Sequence, residues 1–423
     1  MIRRTAVYTM SGMFSAMVSF LLLPVMTRYL TPYDYGVIET VIAVAACMAG
    51  ILIMGGDTLL SKEYFRLSDG ERSGYISNTM GVILALSTVS IVAIFLLRNR
   101  IADLIKIDGG LIMLGLAIAC MNAIVAVLLS VYQLEKKARI YAFFVNSRML
   151  LDTALSLVLI VSFGMAWKGR LSGLVVSSLV FLVLACISLR KRNVGVALKL
   201  VPTKSLVLLG FPLAMAHVSG WTNEMIGKLM INNIIGLDAT GLYSVGLRFG
   251  MVMFMMETAL SRAWLPFFFE NININSQAAR IKIIRATYAC IAGMFILALM
   301  IGIGGKYVLF MMVAPEYYAA SQFIFIVSMA YFFDGVWKLF LGYLTHENKT
   351  RMYSYIVFAA AVINVALSYI LLIKVGIIGA AWAMLTSYAT GAVLTVIAAG
   401  RYHPMPWFSK DVLIGLRTRP VIA

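Results

Sequence analysis

The 423-residue sequence has few charged side chains, and acidic side chains are the scarcer kind. Asp and Glu together number 18, against 35 Lys and Arg, and all four types make up 13% of the chain. Soluble domains are roughly 25% charged. Hydrophobic residues instead reach 62%, and the mean hydropathy is +0.93. This composition excludes an ordinary soluble globular protein and indicates an integral membrane protein.

Cysteine and histidine are scarce as well. The four cysteines lie singly inside apolar segments, and His217, His346 and His403 are far apart in the sequence. These spacings are not those of a disulfide framework or a metal site, so we expect no metal and no cofactor. The segments between the apolar runs are short and leave no room for a soluble catalytic domain. We therefore expect a protein that is not an enzyme.

The apolar runs are mostly about 20 residues long, which is the length that an α-helix needs to cross roughly 30 Å of hydrocarbon. They lack the alternating pattern of an outer-membrane barrel. We predict an all-α integral membrane protein with twelve transmembrane helices near residues 9–28, 36–56, 76–97, 111–132, 141–163, 171–189, 206–230, 241–263, 282–304, 319–343, 354–373 and 377–399.

Lys and Arg are unevenly distributed between the two sides of the predicted membrane. Most of those outside the spans lie on the side that holds both termini, and the positive-inside rule places that side in the cytoplasm. Topology thereby explains the net charge of +17. We expect membrane lipid, and no nucleic acid, as a partner.

The most basic connection, residues 190–205, falls between the sixth and seventh predicted spans. We predict an N-terminal lobe over residues 1–189, a cytoplasmic linker over 190–205, a C-terminal lobe over 206–400 and a basic cytoplasmic tail over 401–423. The stretches LTPYDYGV from Leu30 and IGLDATGL from Ile235 are alike and lead into the second and eighth spans. They indicate a duplicated six-helix unit. Two parallel repeats are a transporter architecture.

Ionisable side chains inside the predicted spans are costly there and mark functional pathways. One interpretation is that acid–base pairs spaced i, i+4 only lower the cost of inserting a helix. The other is that these helices line a polar lumen, in which a bound anion draws the cation from its carboxylate. The spaced pairs are Glu224 with Lys228, Asp334 with Lys338, and Arg148 with Asp152.

Three of the basic residues, Arg28, Lys228 and Arg248, are predicted at similar depth in the outer half of the membrane. If they converge, they suit a phosphate or pyrophosphate, which Arg holds bidentately. The candidate lumen cations are therefore Arg28, Lys228, Arg248, Arg148 and Lys338, and the candidate acidic partners are Glu224, Asp152, Asp334 and Glu257.

Several motifs resemble a known family. LLLPVMTRYLTPYDYG in the first span, GLYSVGLRFG and SRAWLPFF around the eighth, and GIIGAAWAMLTSY at the twelfth resemble the polysaccharide or O-antigen flippases of the multidrug/oligosaccharidyl-lipid/polysaccharide (MOP) exporter superfamily. The resemblance covers nearly the whole chain. It implies a MATE-like fold of two six-helix lobes around a cationic lumen, in the bacterial inner membrane.

The same resemblance implies a substrate and a mode of action. Such proteins move an undecaprenyl-pyrophosphate-linked oligosaccharide from the cytoplasmic to the periplasmic leaflet by alternating access. The product serves the assembly of O-antigen, and thus lipopolysaccharide, or of another surface polysaccharide. A glycan polymerase and a chain-length regulator are the further partners that the resemblance implies.

The resemblance also implies roles for single residues. Arg28 matches a basic position after the Pro-x-x-Thr of the first span, and Arg248 matches a Lys or Arg beyond a Gly in the eighth. Lys228 matches the basic member of an Asp-Arg pair in the seventh span, but here Gly227 stands in place of the acid. Glu224, one turn earlier, is expected to substitute for it.

Two alternatives stay open. A multidrug efflux antiporter of the same superfamily would exchange an organic cation for a proton or a sodium ion, and the embedded acids Asp152, Glu224, Glu257 and Asp334 keep this reading open. A membrane scaffold for glycan assembly would transport nothing, and its embedded charges would all be structural. Proton or sodium coupling is left open for a flippase too.

Overall fold

The computed structural model of the chain describes residues 2–274 and 276–407, and all regular secondary structure in these two ranges is helical. The predicted basic tail lies outside the described residues from residue 408 onward. A π-helix covers Val158–Ser162 and a 3₁₀-helix covers Pro315–Ala320. The α-helices are α1 Ile2–Leu21, α2 Leu23–Tyr29, α3 Pro32–Ile53, α4 Gly56–Glu63, α5 Asp69–Ile105, α6 Gly109–Leu134, α7 Ala138–Leu157, α8 Ala166–Arg190, α9 Leu200–Ile234, α10 Leu237–Ile272, α11 Gln277–Met312, α12 Ser321–His346, α13 Thr350–Val375 and α14 Ile378–Tyr402.

Eleven helical segments in the described part of the chain are long and apolar enough to cross a membrane. They confirm the predicted all-α membrane fold. The place of the seventh predicted span is taken by α9, a helix of 35 residues that is not among the eleven. It carries His217, Glu224 and Lys228. With α9 included, the number of helices of spanning length equals the twelve that the sequence predicts.

Capping side chains fix where the membrane helices begin. The Thr31 hydroxyl accepts a hydrogen bond from the Asp34 backbone N–H at 3.2 Å, while the Asp34 carboxylate accepts one from the Thr31 N–H at 2.9 Å. Pro32 occupies the first helical position, where a missing N–H costs nothing. This reciprocal capping box sets the register of α3, and thereby the positions of Gly36 and Glu39 along it.

By its contacts the chain groups into two units. The first comprises Met1–Val245 and Met312–Ala319, and the second comprises Gly246–Met311 and Ala320–Ala423. This grouping describes packing in one conformation and does not test which helices form a repeat. The predicted lobes, with their boundary at residues 190–205, therefore stay a prediction.

In the first unit, α3 packs against α6, α8 and α9. The start of α3 also meets the start of α10 with no side chain between them. A Cβ at Gly36 would overlap the carbonyl oxygen of Leu237, and a Cβ at Gly241 would overlap that of Pro32. Glycine is required at both positions because the two backbones are in direct contact.

This glycine contact is reciprocal. Pro32 and Gly36 belong to the stretch LTPYDYGV, and Leu237 and Gly241 occupy the corresponding places in IGLDATGL. Gly36 of the first stretch meets Leu237 of the second, and Gly241 of the second meets Pro32 of the first. This exchange is the pattern of a twofold contact between equivalent surfaces. The contact supports the duplication inferred from the two stretches.

In the second unit, α12 packs against α13 and α14. The closest approach lies at Gly391 of α14, where a Cβ would overlap the Trp337 ring of α12. Trp264 of α10 donates from Nε1 to the Leu339 carbonyl oxygen at 3.0 Å. These contacts position the faces of α10 and α12 that carry Glu257, Asp334 and Lys338.

Candidate ligand-binding charges

Lys228 of α9 is buried and forms an ion pair with Glu39 of α3. The Nζ to Oε2 distance is 2.6 Å, and the two side chains are 8% and 4% exposed. The carboxylate that the sequence offered for Lys228 was Glu224 on the same helix, so the partner that the structure provides was missed. Helical i, i+4 spacing identifies pairs within one helix and says nothing about a facing helix. Glu39 could have been found as an ionisable residue inside the second span.

Further hydrogen bonds hold α9 in place around this ion pair. The Trp221 indole N–H donates to the Ala43 carbonyl oxygen of α3 at 3.0 Å. The Asn232 amide donates to the Ile105 carbonyl oxygen at the end of α5. The ammonium of Lys228 therefore lies at a fixed point beside α3.

Arg148 of α7 lies within a membrane-spanning segment, yet its acceptors are neutral. Its Nη2 donates to the Asn122 amide oxygen of α6 and, at 3.0 Å, to the Ser178 hydroxyl of α8. No hydrogen bond or ion pair joins Arg148 to Asp152 in the described part of the chain, although the Asp152 charge acts on this guanidinium. Their pairing therefore stays a prediction.

Asp152 pairs instead with Arg170 of α8. Arg170 also donates to the Ser156 hydroxyl at 2.8 Å. The sequence assigned Arg170 to the loop before the sixth span, but its long side chain reaches Asp152 from the first turns of α8. Asp152 thus forms its ion pair with Arg170, while the hydrogen bonds of Arg148 go to neutral acceptors.

The second unit holds a cluster of Lys338 with two carboxylates, which we name the Lys338 cluster. The Lys338 ammonium lies 2.7 Å from Asp334 Oδ2, as the i, i+4 spacing predicts, and 2.7 Å from Glu257 Oε1 of α10. The Glu257 side chain is fully buried and also accepts from the Thr258 hydroxyl at 2.9 Å. The cluster thus brings one ammonium to two carboxyl groups from two helices.

The remaining predicted cations lie elsewhere. Arg28 is exposed in the last turn of α2. Arg248 is half-buried in α10 and belongs to the second unit, whereas Arg28 and Lys228 belong to the first. The convergence of these three cations, and the pairing role of Glu224, stay predictions.

The first unit also contains a polar cavity of about 780 Å³. It lies where the start of α3, the end of α5 and the start of α8 meet, on the side opposite to both termini in the predicted topology. Two lysines, two aspartates and two aromatic rings line it: Lys106, Lys168, Asp103, Asp108, Tyr33 and Trp167. Such side chains exchange hydrogen bonds with hydroxyl groups and offer flat apolar faces, which suits a sugar.

Comparisons with known proteins identify the family and the fold of the chain. The chain matches the family described as "Polysaccharide biosynthesis protein" over residues 1–272, while a search of curated proteins gives no match. It is similar to the solved structure of the lipid II flippase MurJ in an inward closed conformation, with 12% identity, a TM-score of 0.72, and coverage of 94% of this chain and 87% of that one.

Two multidrug transporter structures are similar as well. An inward-facing multidrug resistance MATE family transporter of the MOP superfamily has 13% identity, a TM-score of 0.65 and coverage of 94% of both chains. A MATE transporter in complex with MaD3S has 14% identity, a TM-score of 0.60 and coverage of 95% of both chains. At these identities the likeness shows the fold alone. Since the family match covers more than half of the sequence, the chain belongs to the polysaccharide biosynthesis protein family, and its fold is that of MurJ and the MATE transporters.

Proposed function

We propose that this protein is a flippase that moves an undecaprenyl-pyrophosphate-linked oligosaccharide from the cytoplasmic to the periplasmic leaflet of the bacterial inner membrane. The observation that carries the proposal is Arg148, a guanidinium within the membrane-spanning part of the first unit whose acceptors, Asn122 and Ser178, are both neutral. A membrane protein has reason to keep such a charge where its ligand is an anion.

The magnitude of the cost supports this reading. An arginine at the centre of a membrane helix costs about 2.5–3.5 kcal/mol on insertion scales. Asp152 and Glu39 form close ion pairs with Arg170 and Lys228, whereas the hydrogen bonds of Arg148 go to neutral acceptors. Its two neutral acceptors engage Nη2 and hold the guanidinium plane, and its remaining N–H groups are available to a phosphate.

Lys228 and the polar cavity complete a path for the headgroup. The pyrophosphate binds Arg148 and draws Lys228 away from Glu39, while the oligosaccharide occupies the cavity lined by Trp167 and its neighbours. The lipid chain stays between helices in the bilayer. No covalent step is involved. Outward movement of an anion is favoured by the membrane potential by about 2.3 kcal/mol per charge per 100 mV, and the product is then available to a glycan polymerase and a chain-length regulator.

The Lys338 cluster supports a second, less favoured candidate. Its two carboxyl groups suit a proton or a monovalent cation, and MATE transporters share the fold. In a flippase the cluster serves as the site of proton or sodium coupling. In a multidrug efflux antiporter the same carboxyl groups would attract an organic cation.

The experiment that tests the proposal is translocation of a lipid-pyrophosphate-linked oligosaccharide in proteoliposomes. The variants are Arg148→Ala, Arg148→Lys and, as a matched control, Arg139→Ala, which removes an exposed arginine from the same helix. We expect Arg148→Ala to lose at least 10-fold in rate, Arg148→Lys to keep part of it, and Arg139→Ala to match the wild type. Gel filtration verifies that each variant is folded.

Three results would overturn the proposal. Wild-type vesicles that export an organic cation but move no lipid would establish the efflux function. Equal rates for Arg148→Ala and the wild type would remove the observation on which the proposal stands. A protein that transports neither substrate, yet is needed for glycan assembly in cells even when its embedded charges are neutralised, would be a scaffold.

A further inference from the structure

Two of the three histidines of the chain meet at one end of the second unit, together with a carboxylate. His346 is the last residue of α12, Glu347 follows it, and His403 follows α14. One ring nitrogen or carboxylate oxygen from each lies within 4.8 Å of those from the other two. Their separation in the sequence hid this cluster from spacing rules, which find ligands only when they are close in the chain.

A helix C-cap holds the first two residues in place. The Lys349 N–H donates to the Leu344 carbonyl oxygen at 2.7 Å, and the Asn348 N–H donates to that of Thr345 at 3.1 Å. Asn348 lies in the left-handed region with φ of 55°. These are the features of a Schellman motif, so Glu347 is fixed by the backbone rather than lying in a loose loop.

The segment after α14 is docked as well, and this positions His403. The Trp407 ring packs against Phe340 and Tyr343 of α12, with centroid distances of 5.4 Å and 6.2 Å. The Tyr288 hydroxyl of α11 donates to the Trp407 carbonyl oxygen at 2.8 Å. The chain from His403 to Trp407 therefore lies against the end of α12.

The polar contacts of His403 are those of a metal ligand. Its Nδ1 lies 2.8 Å from Glu347 Oε1, while its Nε2 is buried and has no hydrogen-bond partner in the described residues. A ring nitrogen and a carboxylate oxygen at this distance lie close to the separation of two ligands on one Zn²⁺ ion, which is about 3.3 Å. The His346 ring lies 5.6 Å from that of His403, nearly perpendicular to it at 87°.

We propose that His346, Glu347 and His403 form a binding site for a divalent transition metal ion, with Zn²⁺ as the ion that two imidazoles and a carboxylate suit best. With Zn–N distances of about 2.0 Å, the ligand atoms of a tetrahedral site are about 3.3 Å apart. The ligand atoms of these three residues lie within 4.8 Å of one another, and small rotations of the side chains would bring them to the shorter separation. The bound ion joins the end of α12 to the end of α14 and to the segment after it. This site lies apart from the charges proposed to bind substrate.

The test is Zn²⁺ binding to the full-length protein, purified through a tag without histidine and stripped with a chelator. Titration calorimetry, with elemental analysis of the dialysed protein, should show one Zn²⁺ per chain. We expect His346→Ala, Glu347→Ala and His403→Ala each to weaken binding at least 10-fold, because each removes one of the three ligands. His217→Ala is the matched control, because it removes the third histidine from an exposed position on α9, and it should bind like the wild type.

Thermal unfolding supplies a second readout. Saturating Zn²⁺ should raise the unfolding temperature of the wild type and of His217→Ala, since a ligand that binds only the folded state stabilises it. The double variant His346→Asn with His403→Gln should fold but show no such rise. A wild type that binds no Zn²⁺, or a double variant that binds it as tightly as the wild type, would overturn the proposal. Lipid translocation plays no part in either readout, so the two proposals fail independently.

Discussion

The buried pair of Glu39 and Lys228 gives the sharpest prediction. The two side chains are 4% and 8% exposed, and their charged atoms are 2.6 Å apart. Replacing Lys228 with Met removes the ammonium that lies against the buried Glu39 carboxylate, and removing one partner of a buried pair costs about 3–5 kcal/mol. We expect Lys228→Met to lower the free energy of unfolding in detergent by about that amount, measured by thermal or denaturant unfolding.

The double variant Glu39→Gln with Lys228→Met separates structure from function. Replacing both members of a buried pair is often neutral or stabilising, so the double variant should recover most of the lost stability. If Lys228 binds the pyrophosphate, translocation in proteoliposomes stays impaired although the protein is folded. If the pair is only structural, stability and translocation recover together.

The reasoning about this pair is refuted by one clear outcome. If the Lys228→Met protein were as stable as the wild type, the Glu39 carboxylate would not depend on Lys228 for its compensation. Glu224→Gln, which neutralises an exposed carboxylate on the same helix, is the matched control and should have a much smaller effect on stability.

Three further outcomes are expected. Gly36→Ala places a methyl group on a facing backbone carbonyl. It should lower the free energy of unfolding by about 1–3 kcal/mol, seen as loss of the monodisperse gel-filtration peak. Gly304→Ala, at a position with open space, is the control and should be tolerated. Burial raises the pKa of Glu135, but hydrogen bonds and charges from basic neighbours, Arg192 foremost, outweigh burial and lower the pKa. The resulting stabilisation of the fold is present above the unfolded-state pKa of about 4.3 and is lost as the pH falls through the lower folded-state pKa. Glu135→Gln should therefore flatten the dependence of the unfolding temperature on pH in this range. Lys338→Met leaves two carboxylates facing each other and should lower the free energy of unfolding by about 3–5 kcal/mol, while Lys338→Arg should keep most of the stability.

The membrane fold is predictable from the sequence because hydrocarbon imposes a length and a composition on every span. The seventh predicted span shows where this reasoning weakens. Helix α9 contains Glu224 and Lys228, and only its packing against α3 and α5 shows how polar groups on it are accommodated. The internal repeat was visible as two similar stretches, and the reciprocal contact of Gly36 and Gly241 gives that similarity a physical reason.

The candidate site was predictable only in part. The pair of Asp334 and Lys338 follows from spacing along one helix, and the structure confirms it. The pairs of Glu39 with Lys228 and of Asp152 with Arg170 join different helices, and the rotation of each helix about its axis cannot be read from one sequence. For the same reason the neutral hydrogen-bond acceptors of Arg148 became visible only in the folded chain.

The Glu39–Lys228 pair also bears on how a substrate leaves. Any anion that binds the Lys228 ammonium must displace Glu39, and Glu39 remains tethered on α3 beside the place it vacated. A tethered competitor acts at a high effective concentration, so it weakens the equilibrium affinity for the anion and promotes its dissociation. A carrier gains from this arrangement, because a headgroup held too tightly would stop turnover. Glu39 can thus act as a built-in displacing group, returning Lys228 to its resting partner after each passage.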